Sequence, residues 1–352
     1  METAGDLSDA HAREIVRRAK YLLPPSQPEH VTQLAAAGDL ALGLIDVGKI
    51  GTAVHAKNTA RLAALVGSET GLAMVEQLAH DSALLSMSDL VGLWEYFDPD
   101  DYVRRVLSGA GRVVRSLELA SSTMTRTLDL LPGLAELDCN FSEPWDDYSF
   151  LERLAALRSA RIGVPFGSPR LTVGVPPALE NVTIASQRGL AKNREMTRRK
   201  DGAARSTPGL SLKIAGLDAT RVLDRLTIGG VIRRLEINDD PRLQSLRHLA
   251  LPATLVELAV TGCRQLRSLT GLESADLPCL QLLDFSLQRN AHLDVSALLA
   301  PRDVRPPIIG QLTRVSVTSG DIGDLVYQLS DSGMRLDTRS DSASWTRPAE
   351  QA

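Results

Sequence analysis

Nine times in this chain, two apolar residues stand one residue apart in a short segment, and the copies are nearly regularly spaced. The pairs are Leu117/Leu119, Leu137/Cys139, Ala160/Ile162, Val182/Ile184, Leu212/Ile214, Leu235/Ile237, Leu258/Val260, Leu283/Phe285 and Val315/Val317. Between first members the spacings are about 20, 23, 22, 30, 23, 23, 25 and 32 residues. A period of two predicts a short strand with both members of a pair on one face. One such strand cannot bury its own apolar face, so the copies must stack on one another. Leu243, Leu246, Leu266 and Leu269 in the returning segments add further apolar side chains. Aromatic residues are only 4% of a chain that is 43% hydrophobic, so aliphatic layers carry the core.

Segments such as Leu255-Val-Glu-Leu-Ala-Val-Thr-Gly-Cys263 and Ile232-Arg-Arg-Leu-Glu-Ile-Asn-Asp-Asp240 resemble the leucine-rich-repeat family over about residues 113–320. The spacing range of that family is roughly 20–29 residues. The copies are degenerate, and the position after each strand varies: Pro165, Gln187, Asp240, Cys263 and Gln288. The resemblance implies an α/β fold, a leucine-rich-repeat solenoid with parallel strands on its concave face.

An all-α N-terminal domain is expected ahead of it, over 1–111. Ser8 caps one predicted helix, which Pro24 and Pro25 stop, and Ala- and Leu-rich segments follow at 30–47, 53–66 and 69–85. Asp98, Pro99, Asp100 and Asp101 read as a helix start: a cap, a proline at the first position, and two acids facing the helix dipole. They lack the twelve-residue spacing of a calcium-binding loop. The domain is expected to cap the first repeat. The solenoid then covers 112–325, with an insertion at 186–207, and 326–352 is expected to be a polar, frayed C-terminal tail.

Residues flanking each buried pair face the other side of the sheet. Glu118, Glu136, Asp138, Arg161, Asn181, Thr183, Lys213, Arg234, Glu236, Asn238, Glu257, Thr261, Asp284 and Arg314 fall there, six acids against four bases. Two readings stand: a partner-binding surface, or polar residues present because that face is wet. The 30-residue spacing marks the insertion, where Arg188, Lys192, Arg194, Arg198, Arg199, Lys200 and Arg205 outnumber Glu195 and Asp201. It is either a solvated loop or a phosphate- or nucleic-acid-binding one. It holds no aromatic residue to stack a base.

Nothing in the sequence points to chemistry. Gly43, Gly48 and Lys49 have the spacing of a phosphate-binding loop, but Ile50 stands where a magnesium-binding hydroxyl is needed. The preceding residues are Ala-rich and helical, so Gly48 is expected to end a helix. His11, His30, His55, His80, His248 and His292 show no metal-ligand spacing. Cys139, Cys263 and Cys279 lack CxxC spacing; their sparseness fits a reducing compartment. Leucine-rich-repeat ubiquitin ligases use a catalytic cysteine, but Cys139 and Cys263 occupy repeat positions here. The Asn181-Val-Thr183 sequon is expected to be accidental. The expectation is a non-enzyme with no cofactor and no metal.

The net charge of −4 gives no global field toward nucleic acid or anionic lipid. With Glu2, Asp6, Asp9 and Glu14 among the first residues and no apolar core region there, no signal peptide is expected, and the apolar run 34–47 is broken by Asp39 and Asp46, too short for a span. A cytoplasmic protein with no membrane association is therefore expected. Six lysines among 39 basic residues suggest a GC-rich bacterial genome.

The segment 82–107, with Leu93, Trp94, Tyr96, Phe97 and the Asp98–Asp101 cluster, followed by degenerate repeats, resembles the C-terminal sensor half of bacterial NACHT-type STAND proteins, relatives of the NOD-like receptors. This chain departs from them in lacking the NTPase, so the resemblance implies either a sensor fragment or a free-standing component serving another protein. The resemblance implies a sensor in an immune-like or signalling system. A protein partner on the concave face is the first expectation and nucleic acid on the basic loop the second; the oligomeric state is left open.

Overall fold

The computed structural model describes residues 39, 42–43, 45–80, 84–108, 114–119, 122–141, 143–164, 170–186, 209–286, 293–302, 306–318, 327, 329, 332–339 and 342–348. The predicted helix after Ser8 and all seven cations of the basic insertion lie outside these residues. The fold is mixed α/β, and the chain divides into two compact units: 1–117 with 123–134, and 118–122 with 135–352.

The first unit is helical because its segments carry start and stop signals. Helix α1 (Ala53–Val66) begins where the Thr52 hydroxyl accepts from the His55 amide at 3.4 Å, and ends at Gly67, whose φ of +63° favours glycine. Helix α2 (Glu69–Ala79) starts on Ser68, which accepts from the Gly71 amide at 3.1 Å. The two helices approach so closely that a Cβ on Gly71 would lie 2.5 Å from the Ala63 carbonyl oxygen. Apolar side chains at helical spacing, Leu72, Val75, Leu78 and Ala79, are buried on α2. After α3 (Met87–Val91), α4 (Pro99–Tyr102) opens as its sequence predicts. The Asp98 carboxylate accepts from the amides of Asp100 and Asp101, both at 3.1 Å. The buried Tyr102 hydroxyl donates to the Leu90 carbonyl at 2.7 Å, tying α4 to α3. Gly48 does not end a helix: it sits in a 3-10 turn, Val47–Lys49, where its amide donates to the Asp46 side chain at 3.1 Å.

An eleven-stranded sheet, whose strands lie in the second unit except for Ser116 and Leu117 of β1, has the order β1-β2-β4-β6-β7-β9-β10-β11-β12-β14-β13. Its strands are β1 (Ser116–Leu119), β2 (Glu136–Cys139), β4 (Ser159–Val164), β6 (Asn181–Ser186), β7 (Leu210–Ala215), β9 (Ile232–Asn238), β10 (Glu257–Thr261), β11 (Leu282–Ser286), β12 (Arg314–Thr318), β13 (Arg335–Arg339) and β14 (Ser342–Thr346). From β2 to β12 every neighbouring pair is parallel. Each apolar pair lies on its own strand, and the first members line up as Leu137, Ala160, Val182, Leu212, Leu235, Leu258, Leu283 and Val315. All nine pairs are buried, as are Leu243, Leu246, Leu266 and Leu269 on the returning segments.

Between strands, the chain turns on recurring devices. Gly216, Asp239 and Gly262 follow β7, β9 and β10 with φ of +65°, +52° and +67°, so three successive strands exit through a left-handed residue. Next to it, Asp240 is 1% exposed and its carboxylate accepts from the amides of Ala219, Arg242 and Leu243 at 2.7, 2.8 and 3.1 Å. Cys263 takes the equivalent place one copy later, its thiol 3.5 Å from the Thr261 carbonyl.

Two features depart from the sequence reading. A second, three-stranded parallel sheet, β3 (Asp147–Tyr148), β5 (Leu171–Val173) and β8 (Leu226–Ile228), forms on the returning segments. The 326–352 segment is not simply a polar tail. Strands β14 and β13 join the large sheet antiparallel after β12, and Trp345, opposite Val315, is 1% exposed. The polar composition of that segment hid a strand whose inward residues, Ala343 and Trp345, are apolar at period two. No helix among the described residues is long and apolar enough to cross a membrane.

Candidate polar face of the parallel sheet

The strand register places the predicted face residues in rows. One runs Glu136, Ser159, Asn181, Ser211, Arg234, Glu257, Leu282, Arg314; the next runs Asp138, Arg161, Thr183, Lys213, Glu236, Ala259, Asp284, Ser316. A third row runs Gly163, Ala185, Ala215, Asn238, Thr261, Ser286, Thr318, and turns polar only at Asn238. Glu118 is exposed on β1. Leu282 and Ala259 interrupt the polar pattern, which charge counting alone passes over.

Parallel strands about 4.8 Å apart bring long side chains of one row into contact. Arg161 Nε lies 3.5 Å from Asp138, and Lys213 Nζ lies 2.9 Å from Glu236. Arg234 reaches Glu236 at 3.7 Å and Glu257 at 3.6 Å. Asn238 Nδ2 donates to Glu236 Oε1 at 2.9 Å, and the Thr261 hydroxyl donates to Asn238 Oδ1. One network thus runs across β7, β9 and β10.

The face is not uniformly exposed. Asn238 and Glu257 are buried at 8% and 9% exposure, and Asp138, Arg161, Lys213, Arg234, Glu236, Asp284 and Arg314 are half-buried. Their neighbours in the row cover them. Glu136 and Asn181 remain exposed. Burial pushes the Glu236 carboxyl up, but the Lys213 ammonium, its hydrogen bond, the Asn238 amide and Arg234 outweigh it and hold the carboxyl below its ordinary value.

Other titratable groups are arranged for structure. Burial pushes the Cys139 thiol far up, and the Cys263 thiol up to about 12, so neither is a thiolate at neutral pH. Cys279 is half-buried. Burial also raises the Asp240 carboxyl despite its three amide donors. Among the described residues no group of three or more His, Cys, Asp or Glu could hold a metal ion. Lys49 of the loop resembling a phosphate-binding one pairs with Asp46 at 3.4 Å.

The clustering of charge was legible in the sequence, since acids and bases alternate at the same offset from successive apolar pairs. The mutual burial was not, because it depends on which residues stand opposite each other. No model of a known protein family matches this sequence, and no curated protein matches it.

Proposed function

We propose that this chain is a non-catalytic recognition module of leucine-rich-repeat type, a solenoid that docks a protein partner on the strand-lined polar face. The observation that carries this reading is the in-register polar surface spanning β2 to β12, braced by the Asp138–Arg161 pair and the Lys213–Glu236–Arg234–Glu257 network. Braced side chains present fixed donors and acceptors, so a partner meets a surface that needs little further ordering. Glu136 and Asn181 offer exposed contacts beside that network. Repeat architecture is supported by the near-regular spacing of the strands and by the shared place of Asp240 and Cys263 after successive ones. The STAND resemblance favours a sensor role in a bacterial cytoplasmic signalling system, either as the sensor part of a longer receptor or as a free-standing component serving another protein.

A second reading, nucleic-acid binding through 186–207, rests on the surplus of five positive charges in that segment, from seven cations and two anions. One experiment separates the two. The tagged chain is used to capture partners from bacterial lysate with and without nuclease. A stoichiometric protein retained after nuclease supports the recognition module. Capture abolished by nuclease supports the basic segment instead and rejects the polar face as the docking surface.

A further inference from the structure

The rows of the polar face do not end at β12. Through the antiparallel pairing the first continues Leu282, Arg314, Thr346, Arg335, and the second Asp284, Ser316, Ser344, Asp337. Strands β14 and β13 therefore add their own residues to that face. Thr346 stands between two arginines on the neighbouring strands, at a spacing of about 4.8 Å to either side. An arginine side chain is longer than that spacing, so both guanidinium groups are long enough to reach the space over Thr346.

These two arginines differ from the other bases of the face. Arg161, Lys213 and Arg234 each sit beside a carboxylate. Among the described residues, neither Arg314 nor Arg335 makes an ion pair or a hydrogen bond through its side chain. Arg314 is half-buried, and its Nε is enclosed with no acceptor. The stem is thus held while the charge is unanswered, a cost that an oxyanion brought to the guanidinium relieves. Arg335 and Thr346 are exposed, and the half-buried Ser316 and Ser344 hydroxyls lie 3.5 Å apart one row away.

We infer that this end of the face receives a single phosphoryl group, carried on a phosphorylated side chain of the protein partner; the inference rests on the docking role proposed above. Two guanidinium groups and a hydroxyl offer donors from three strands. That matches the three free oxygens and nearly two negative charges of a phosphate monoester. A carboxylate, with two oxygens, is satisfied by one guanidinium fork. Asp284 and Asp337 place carboxylates on either side of the serines in the next row. They disfavour a second anion there, so a run of phosphates such as a nucleic-acid backbone fits poorly.

The test follows the arginine Nε–Hε signals of the full-length chain by NMR at fixed ionic strength. The probes are N-acetyl-O-phosphoserine N-methylamide, inorganic phosphate, acetate and a short oligothymidylate. The expected result is saturable movement of the Arg314 and Arg335 signals by the phosphoserine probe, with at least ten-fold weaker binding of acetate. Arg335→Gln, at an exposed position, should weaken phosphoserine binding at least ten-fold with an unchanged unfolding midpoint. Arg314→Lys keeps the charge but loses the planar fork, and should weaken it as well. Absence of saturable shifts overturns the inference, as does an equal response to acetate or binding that survives Arg335→Gln. Tighter binding of the oligothymidylate at these two signals would assign the site to nucleic acid instead. A response to inorganic phosphate without one to phosphoserine would assign it to the free ion. Phosphatase treatment of the nuclease-resistant partner should lower its affinity at least ten-fold, and unchanged affinity would also overturn the inference. The titrations need no partner, so failure of the docking role leaves the phosphoserine response intact and the two failures are told apart.

Discussion

At the residue scale, the backbone conformation after each strand sets sharp demands. Gly262 sits at φ +67°, and a Cβ there would meet Asp239 Oδ1 at 2.3 Å. Gly262→Ala should therefore cost about 1–2 kcal/mol in chemical denaturation, from left-handed strain plus the displaced carboxylate. Asp240 carries more. Its buried carboxylate accepts from three amides, of Ala219, Arg242 and Leu243, and Asp240→Ala leaves all three donors unanswered. A loss of roughly 3 kcal/mol or more is expected from unsatisfied buried amides, read as a lower urea midpoint at unchanged slope. An unchanged midpoint would mean that water replaces the carboxylate. Both residues stand just after an apolar pair in the sequence, so their position was legible; the left-handed φ of Asp239 was not, since aspartate is also common in ordinary turns.

Among elements, the most readable were those with a local cause. The start of α4 was plain in the sequence because an Asp-Pro-Asp-Asp run satisfies helix amides whatever surrounds it. Asp98→Ala should destabilise the helical unit by about 1 kcal/mol. Elements that depend on distant partners were hidden. Strands β3, β5 and β8 are two or three residues long, and strand β14 looks polar until Trp345 is set opposite Val315. The ion-pair network joins β7, β9 and β10 and makes acid a specific stress. The folded-state carboxyl of Glu236 lies below its unhindered value of 4.5, so between the two values the unfolded chain holds more proton. Stability from this group is present above about pH 4.5 and is lost as pH falls through the lower, folded value. Wild type should therefore lose more stability than Glu236→Gln on acidification below pH 4.5, measured by urea midpoints at stepped pH. Parallel curves for the two proteins would show that the network contributes nothing to acid sensitivity.

For the whole molecule, repetition explains both what could be read and what could not. Nine nearly regularly spaced apolar pairs reveal a stacked sheet because each copy repeats the evidence of the last. Function leaves no such repeated trace. The candidate face could be listed residue by residue from period-two alternation, but the register decided which of those residues pair among themselves and which stay open. Glu236, which charge counting offers as a contact, is bound to Lys213 and Asn238; Glu136 and Asn181, less conspicuous in the sequence, remain exposed. In the proposed reading, contact with a partner falls to these exposed residues, with the half-buried network as their frame.

The central claim, that the polar face of the sheet is a protein-docking surface, is tested most directly by affinity. The dissociation constant of the nuclease-resistant partner is measured for wild type and for the double variant Glu136→Arg with Asn181→Arg, both substitutions at exposed positions that leave the ion-pair network intact. Docking on this face predicts at least a ten-fold loss of affinity with an unchanged unfolding midpoint. Unaltered affinity in the folded double variant would contradict it.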